Sequence, residues 1–425
     1  MIDTKHPMKL RYLLLLTTVL ATGACGVGSA TTSHTASPTT TSPTSSGPAA
    51  GPGTTTATGP ASTTPTTVAA TMLAGGQQGS TSDVPWSLIG PGWILATVSA
   101  SSPNTRTPPP ETMYLVDPQG GRYDLGPAPT GASLADFSGD GTHALFATAN
   151  GTSETATVVG LQSGSVNSFE VTGGQYNPSV RFTNPDGQAL LTDDVPAQSG
   201  LIPAQRLNLT GSVQVTFPST FPGVAAETGG LLESPDGTKL VFSTQSGDEL
   251  VSNSGQVIST IPTPAGQQYC SPVRWWSTSS ILETCGIELY VQPVSGGAAT
   301  PLTSKSNTET DLNAWQLPGG LLVQGAACGT TWISSVNAQG ISTKLNLPGA
   351  PADGSVVGLG VEGDQLAVLM TGSCDQAPGS PQQPSSLDFY NPSANTVAPL
   401  LGNGAIGGWV DNAVMLTATG SSPNI

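Results

Sequence analysis

Leu231–Thr244 reads LLESPDGTKLVFST: an apolar pair runs into Ser234-Pro235-Asp236-Gly237, and a β-rich run, Leu240-Val241-Phe242, runs out. Proline presets φ and the Asp-Gly pair tolerates a left-handed residue, so the stretch reads as a tight turn between two strands. The chain repeats it. Related turns stand at Phe137–Gly141 before ALFAT and at Asn184–Gly187 before QALL, with weaker versions at Trp276–Ser279, Pro318–Gly320 and Glu362–Asp364. Gly90–Gly92 before WILATV and Asp411-Asn412 before AVML are read as the first and last copies, and successive centres lie 40 to 50 residues apart. An all-strand repeat of that length predicts β-propeller blades. The runs ILATV, ALFAT, LAVLM and AVML hardly alternate, as expected of strands covered on both faces.

These residues resemble the TolB-type, WD-repeat-like propellers. The resemblance rests on Phe137-Ser-Gly-Asp-Gly141 and Ser234-Pro-Asp-Gly237, and on Met113-Tyr-Leu-Val-Asp117 with Gly120-Gly121 and Leu289-Tyr-Val with Gly296-Gly297. It implies an all-β propeller of seven or eight four-stranded blades, acting as a non-catalytic recognition module of a bacterial, actinobacterial-type cell envelope. Eight turn signals but only seven full strand sets predict seven units and a partial eighth. Closure then needs either Val68–Leu73 as an added strand or one blade shared by the first and last hairpins.

The remaining sequence divides into three parts: a signal peptide (1–24), a tether (25–82) and the propeller (83–425). Lys5, Lys9 and Arg11 precede an apolar run, Leu13–Ala21, that is too short to span a bilayer but suits a signal peptide. Thr22-Gly23-Ala24-Cys25 then resembles a lipobox, which makes Cys25 the expected lipid-attachment site; ordinary cleavage near Ala24, giving a secreted protein, is the alternative. Residues 27–82 are Thr, Ser, Pro, Ala and Gly with almost no charge, a composition that cannot bury enough apolar surface to fold. As a flexible chain they would reach about 40 Å. The expected location is therefore the extracytoplasmic face of the cell membrane.

From Asp83 onward eight basic residues face 26 acidic ones. Such a head is repelled by nucleic acid and by anionic lipid, so neither is an expected partner of it. Membrane contact is expected through the anchor alone, with an envelope protein or glycan as partner. Four cysteines follow Cys25, an even number suited to an oxidising compartment. Cys270 and Cys285 flank the Trp276 turn symmetrically, and Cys328 and Cys374 end equivalent strands, which favours the pairs 270–285 and 328–374 among three possibilities. A metal site is the rival reading, disfavoured by the lack of CxxC spacing or a nearby histidine.

The histidines are His6, His34 and His143, the last on a turn; one histidine in the head leaves little for a Ser-His-Asp triad. No GxSxG, HExxH or P-loop occurs, so neither catalytic residues nor a cofactor are expected. The seven tryptophans lie mostly beside turns and are read as packing between blades. Long connections follow the second strand at Ser99–Glu111, Asp193–Ala204 and Gly372–Ser386, and in a propeller such loops share one face. That face supplies the candidate contacts Arg106, Asp193, Asp194, Asp375 and Gln376, with Asp193-Asp194 read as a solvated loop. An envelope polysaccharide hydrolase or lyase working through channel carboxylates is the competing expectation.

Overall fold

In the computed structural model each Asp-Gly turn closes a hairpin, and the hairpins are arranged as seven four-stranded antiparallel sheets in a ring. The structure describes residues 70–100, 109–151, 153–172, 180–193, 195–197, 200–217, 231–244, 247–267, 270–304, 309–327, 329–351, 354–372, 384–402, 408–418 and 420–421. The innermost strands of blades 2 to 7 are Ser133–Phe137, Val180–Phe182, Leu231–Glu233, Cys270–Ser277, Thr310–Leu317 and Ser355–Glu362, and each blade then proceeds outward in chain order. Blade 1 alone is built from both ends of the head. Its three outer strands are Ile94–Ser99, Glu111–Val116 and Arg122–Pro127, and its innermost strand is Trp409–Thr417.

This closure takes the second of the two expected forms, one blade shared by the first and last hairpins, and rules out the first. Among the described residues there is no partial eighth unit: Asp411 and Asn412 lie inside the closing strand, and the Gly90–Gly92 turn belongs to the same blade, with the Gly92 N–H bonded to Leu416 O at 2.8 Å. Nor does Val68–Leu73 complete a blade. Of that stretch residues 70–73 are described, none of them in a strand; Met72 and Leu73 pack against the core of blade 1, where the Leu73 N–H donates to Tyr123 Oη at 3.0 Å. The added strand is instead Gln78–Ser80, which runs parallel to Arg122–Pro127 on the outer edge. The compact unit thus starts at Ala70 and includes residues that composition assigns to the tether.

The Asp-Gly turns have a packing role beyond local geometry. In blade 4 the Ser234 hydroxyl donates to Asp236 Oδ1 at 2.6 Å, while the N–H groups of Thr238 and Lys239 donate to Asp236 and Ser234. Blade 2 repeats the device with Ser138, Asp140, Thr142 and His143. Adjacent turns then interlock. A methyl group on Gly237, whose φ is +67°, would sit 2.1 Å from Asn184 O of the blade 3 turn. Gly363 occupies a similar left-handed position, φ +60°, with open space around it. Replacing Gly363 by Ala should therefore cost only backbone strain, about 1 kcal/mol, whereas Gly237→Ala should cost 3 kcal/mol or more, on the order of a strained residue plus a displaced neighbour. Equal midpoints for the two variants in urea unfolding would show that the interlock carries no energy.

Buried polar side chains stitch the inner strands together. Phe182 N–H donates to Asp136 Oδ2 of the preceding blade at 2.7 Å, and Gly358 N–H to Gln324 Oε1 at 2.9 Å. Glu233 receives Asn184 N–H at 2.5 Å and Arg206 Nη2 at 2.9 Å, both from blade 3. Arg274 reaches Asn313 Oδ1 at 3.1 Å and Ala314 O in blade 6. Apolar side chains fill the spaces between blades, with Trp93, Trp275, Trp315 and Trp332 nearly fully enclosed, in keeping with their expected packing role. Cys270 and Cys285 stand directly opposite in their hairpin and form a disulfide across a separation of 15 residues. Loop-closure entropy over that length stabilises by about 3 kcal/mol. Cys328 and Cys374 lie outside the described residues.

Candidate functional site

An antiparallel meander has two ends. The Asp-Gly turns occupy one, and the connections from second to third strand leave from the other, together with the crossings between blades. All three long connections picked out in the sequence belong to this second end: they follow Ile94–Ser99 in blade 1, Ala189–Thr192 in blade 3 and Gln365–Thr371 in blade 7. The blade 3 connection carries a small hairpin of its own, Val195–Ala197 with Gly200–Ile202.

The same end collects carboxyl groups. The third strands of blades 1, 2, 4, 5 and 7 open on Glu111, Glu154, Asp248, Glu288 and Asp388, each within the first three residues of its strand. Asp311 and Asp411 occupy the equivalent end of inner strands. These are not solvated surface charges: Glu154, Asp248, Asp311 and Asp388 are all buried. Burial penalises the charged form and pushes the Glu154 carboxyl up to about 7, with the Asp193 charge adding to the effect. Asp388 rises to about 6 through burial against the opposing pull of the Ser386 hydroxyl, which donates to it at 2.6 Å. Asp311 likewise reaches about 6, from burial and then the neighbouring Glu309 and Glu288. Asp411 reaches about 7, from burial and then Glu111, opposed by Ser99. Perturbed acids of this kind concentrate at functional sites more often than elsewhere.

Two groupings stand out. At the junction of blades 2 and 3, Asp193 forms an ion pair with Arg181 at 2.5 Å, with side-chain exposures of 16% and 31%, and lies close enough to Glu154 to act on its charge. Asp193 is thus a half-buried, paired residue and not the freely solvated loop residue expected. At the junction of blades 4 and 5, Asp248 and Glu283 lie close enough to act on each other's charge, and burial, the first cause for both, drives both carboxyls upward. Arg106, Asp194, Asp375, Gln376 and Cys25 lie outside the described residues, so of the candidate face Asp193 alone is placed. His143 opens the second strand of blade 2 beside its turn, with Nδ1 2.6 Å from Thr142 Oγ1.

In the sequence the acids of the head count only as net charge that repels nucleic acid and anionic lipid. The missed signal is positional: SETATVVG, GDELVS and SLDFYN each carry an acid two or three residues into the third strand. The column emerges only when third strands are aligned on one another.

The fold defines the head as a seven-bladed β-propeller of four-stranded sheets. No family model matches the chain, and no curated protein matches it. Solved structures similar to it include a prolyl endopeptidase, at 13% identity and TM-score 0.48, covering 73% of this chain and 48% of the endopeptidase. The propeller domain of the trilobed protease from Pyrococcus furiosus is similar at 12% identity and TM-score 0.45, over 74% of this chain and 96% of that domain. TolB from Acinetobacter baumannii is similar at 12% identity and TM-score 0.39, over 75% of this chain and 65% of TolB. The chain thus spans about half the length of the endopeptidase.

Proposed function

We propose that the protein is a lipid-anchored, extracytoplasmic propeller that works as a non-catalytic protein- or ligand-binding module of the cell envelope, through the end of the ring that carries the long connections. The observation that carries this reading is the coincidence of those connections with the column of perturbed carboxyls. A rigid ring presents loops without moving, and acids held partly protonated can either accept or donate hydrogen bonds to a partner. Enclosure of the neighbouring carboxyls Asp248 and Glu283, at 3% and 2% exposure, favours binding over polysaccharide hydrolysis. Anchoring rests on the Thr22–Cys25 motif, and the segment up to residue 69 then acts as the tether.

Two measurements test the reading. Cys25→Ser should move the protein from membranes to the medium; a variant that stays with membranes, with no lipid mass on the wild type, removes the anchor. A photo-crosslinker at Asp193 on the full chain should capture an envelope component that the same group at Asp236, on the turn end, does not. Equal capture from both ends argues against a dedicated face. Turnover of a glycan by the purified protein would replace the binding reading outright.

A further inference from the structure

The junction of blades 4 and 5 holds a donor set that the disulfide only partly explains. Cys285 and Glu283 are two residues apart on the strand Ser280–Cys285, so their side chains share a face, and Cys270 stands directly opposite Cys285. The two sulfurs and a Glu283 oxygen all lie within 4.8 Å of one another, with Glu283 Oε2 4.0 Å from Cys285 Sγ. Across the junction Asp248, 3% exposed, lies close enough to Glu283 to act on its charge, and its Oδ2 finds no hydrogen-bond partner. Leu250 and Ile281, two residues along from Asp248 and Glu283 on the same faces, belong to the apolar cluster beneath. Cys270 is half-buried and gives the group its opening to solvent.

We propose that Cys270, Cys285 and Glu283 form a binding site for a thiophilic divalent cation such as Zn²⁺ when the disulfide is reduced, with Asp248 as the outer partner that orients Glu283. Reduction by a dithiol transfers two electrons and two protons, so the S–S bond breaks, two thiols form and the reductant becomes its own disulfide. The cation then displaces the two thiol protons and takes two thiolates and one carboxylate, leaving a fourth position for water on the Cys270 side. Zinc accepts this donor set, with Zn–S distances of about 2.3 Å. In a tetrahedral site the sulfurs then stand roughly 3.8 Å apart, a separation side-chain rotation can supply across a directly paired position. The disulfide ties one hairpin of blade 5 to itself. The metal form also engages blade 4, since Asp248 then stands beside a ligand as its outer partner, and such partners typically contribute 10–100-fold to affinity.

The test uses the full chain, reduced with dithiothreitol and freed of it by gel filtration. The rate of iodoacetamide labelling at Cys270 is then followed by peptide mass spectrometry with Zn²⁺ or with EDTA. Zinc should slow labelling of Cys270 about 10-fold or more, the disulfide form should take up no zinc, and Glu283→Gln should lose most of the protection. Asp248→Asn should lose a smaller part, and supplies the comparison if Glu283→Gln does not fold. Labelling of the wild type that is indifferent to zinc overturns the site. So does equal protection in the folded variants, or loss of the β circular-dichroism signal on reduction that zinc does not restore.

Discussion

Deletion of residues 405–425 is expected to leave no soluble, folded head. The segment holds the innermost strand of blade 1, which pairs along Ile94–Ser99 from Ile94↔Met415 to Ser99↔Trp409. Its side chains point alternately into two cores. Val414 and Leu416 join Trp93, Leu115, Leu134 and Phe146 between blades 1 and 2. Val410, Ala413 and Met415 join Leu359, Ala367, Leu387 and Phe389 between blades 7 and 1. Val410, Val414, Met415 and Leu416 are each no more than 2% exposed. At about 1.5–3 kcal/mol for each large aliphatic side chain, these four alone contribute roughly 6–12 kcal/mol, as much as the whole net stability of a typical domain. The deletion also bares the backbone edge of Ile94–Ser99, a ready template for aggregation. Removing residues 27–60 should change none of this. Size-exclusion chromatography and thermal unfolding of both truncations decide the matter: a monomeric, cooperatively unfolding chain without its closing strand would mean that the ring does not depend on closure.

Closure was also where the sequence was hardest to read. The Ser-Pro-Asp-Gly turn is local chemistry, visible in four consecutive residues, so its repetition and the resulting blade count could be followed along the chain. Asp411-Asn412 has the composition of the same turn. What makes it part of a strand is pairing with residues more than 300 positions away, which no local pattern reports. The strand Gln78–Ser80 is hidden similarly, because its partner Arg122–Asp124 is distant and its own composition is that of a linker. The 270–285 disulfide could be read because hairpin symmetry around Trp276 fixes the opposing residues. Buried acids were the opposite case. An aspartate within GDELVS looks like surface charge until the neighbouring blade is placed against it, since burial is set by the packing partner and not by the strand itself. The structure thereby makes Asp193 a paired residue whose loss strands the Arg181 guanidinium, so its substitution tests the site and the local stability together.

The buried acids give the head an unusual dependence on pH. Glu154 moves from 4.5 to about 7 on folding, chiefly because burial penalises its charge, and Asp388 and Asp411 move upward for the same first reason. A carboxyl that is a weaker acid in the folded chain binds more protons there than in the unfolded one. Stability is therefore full below the unfolded value, near 4.5, falls as pH rises through the folded value, and levels off above it. For Glu154 the loss amounts to roughly 3 kcal/mol between pH 4.5 and 8, taking about 1.4 kcal/mol per pH interval. At the acid end the turn residue Asp236 acts oppositely: the Ser234 hydroxyl and Thr238 N–H hold its carboxyl below the usual value, so its contribution disappears below about pH 4. The two wings place maximum stability near pH 4–5, lower than the pH 5–8 common to soluble proteins. Urea unfolding should show a higher midpoint at pH 5 than at pH 8. Glu154→Gln, which keeps shape and removes the titration, should raise the midpoint at pH 8 by the equivalent of about 1–3 kcal/mol while leaving it nearly unchanged at pH 5. A wild-type midpoint that rises from pH 5 to pH 8, or a Glu154→Gln gain equal at both, would mean that these carboxyls meet cationic or hydrogen-bonding partners in the folded chain and stay charged.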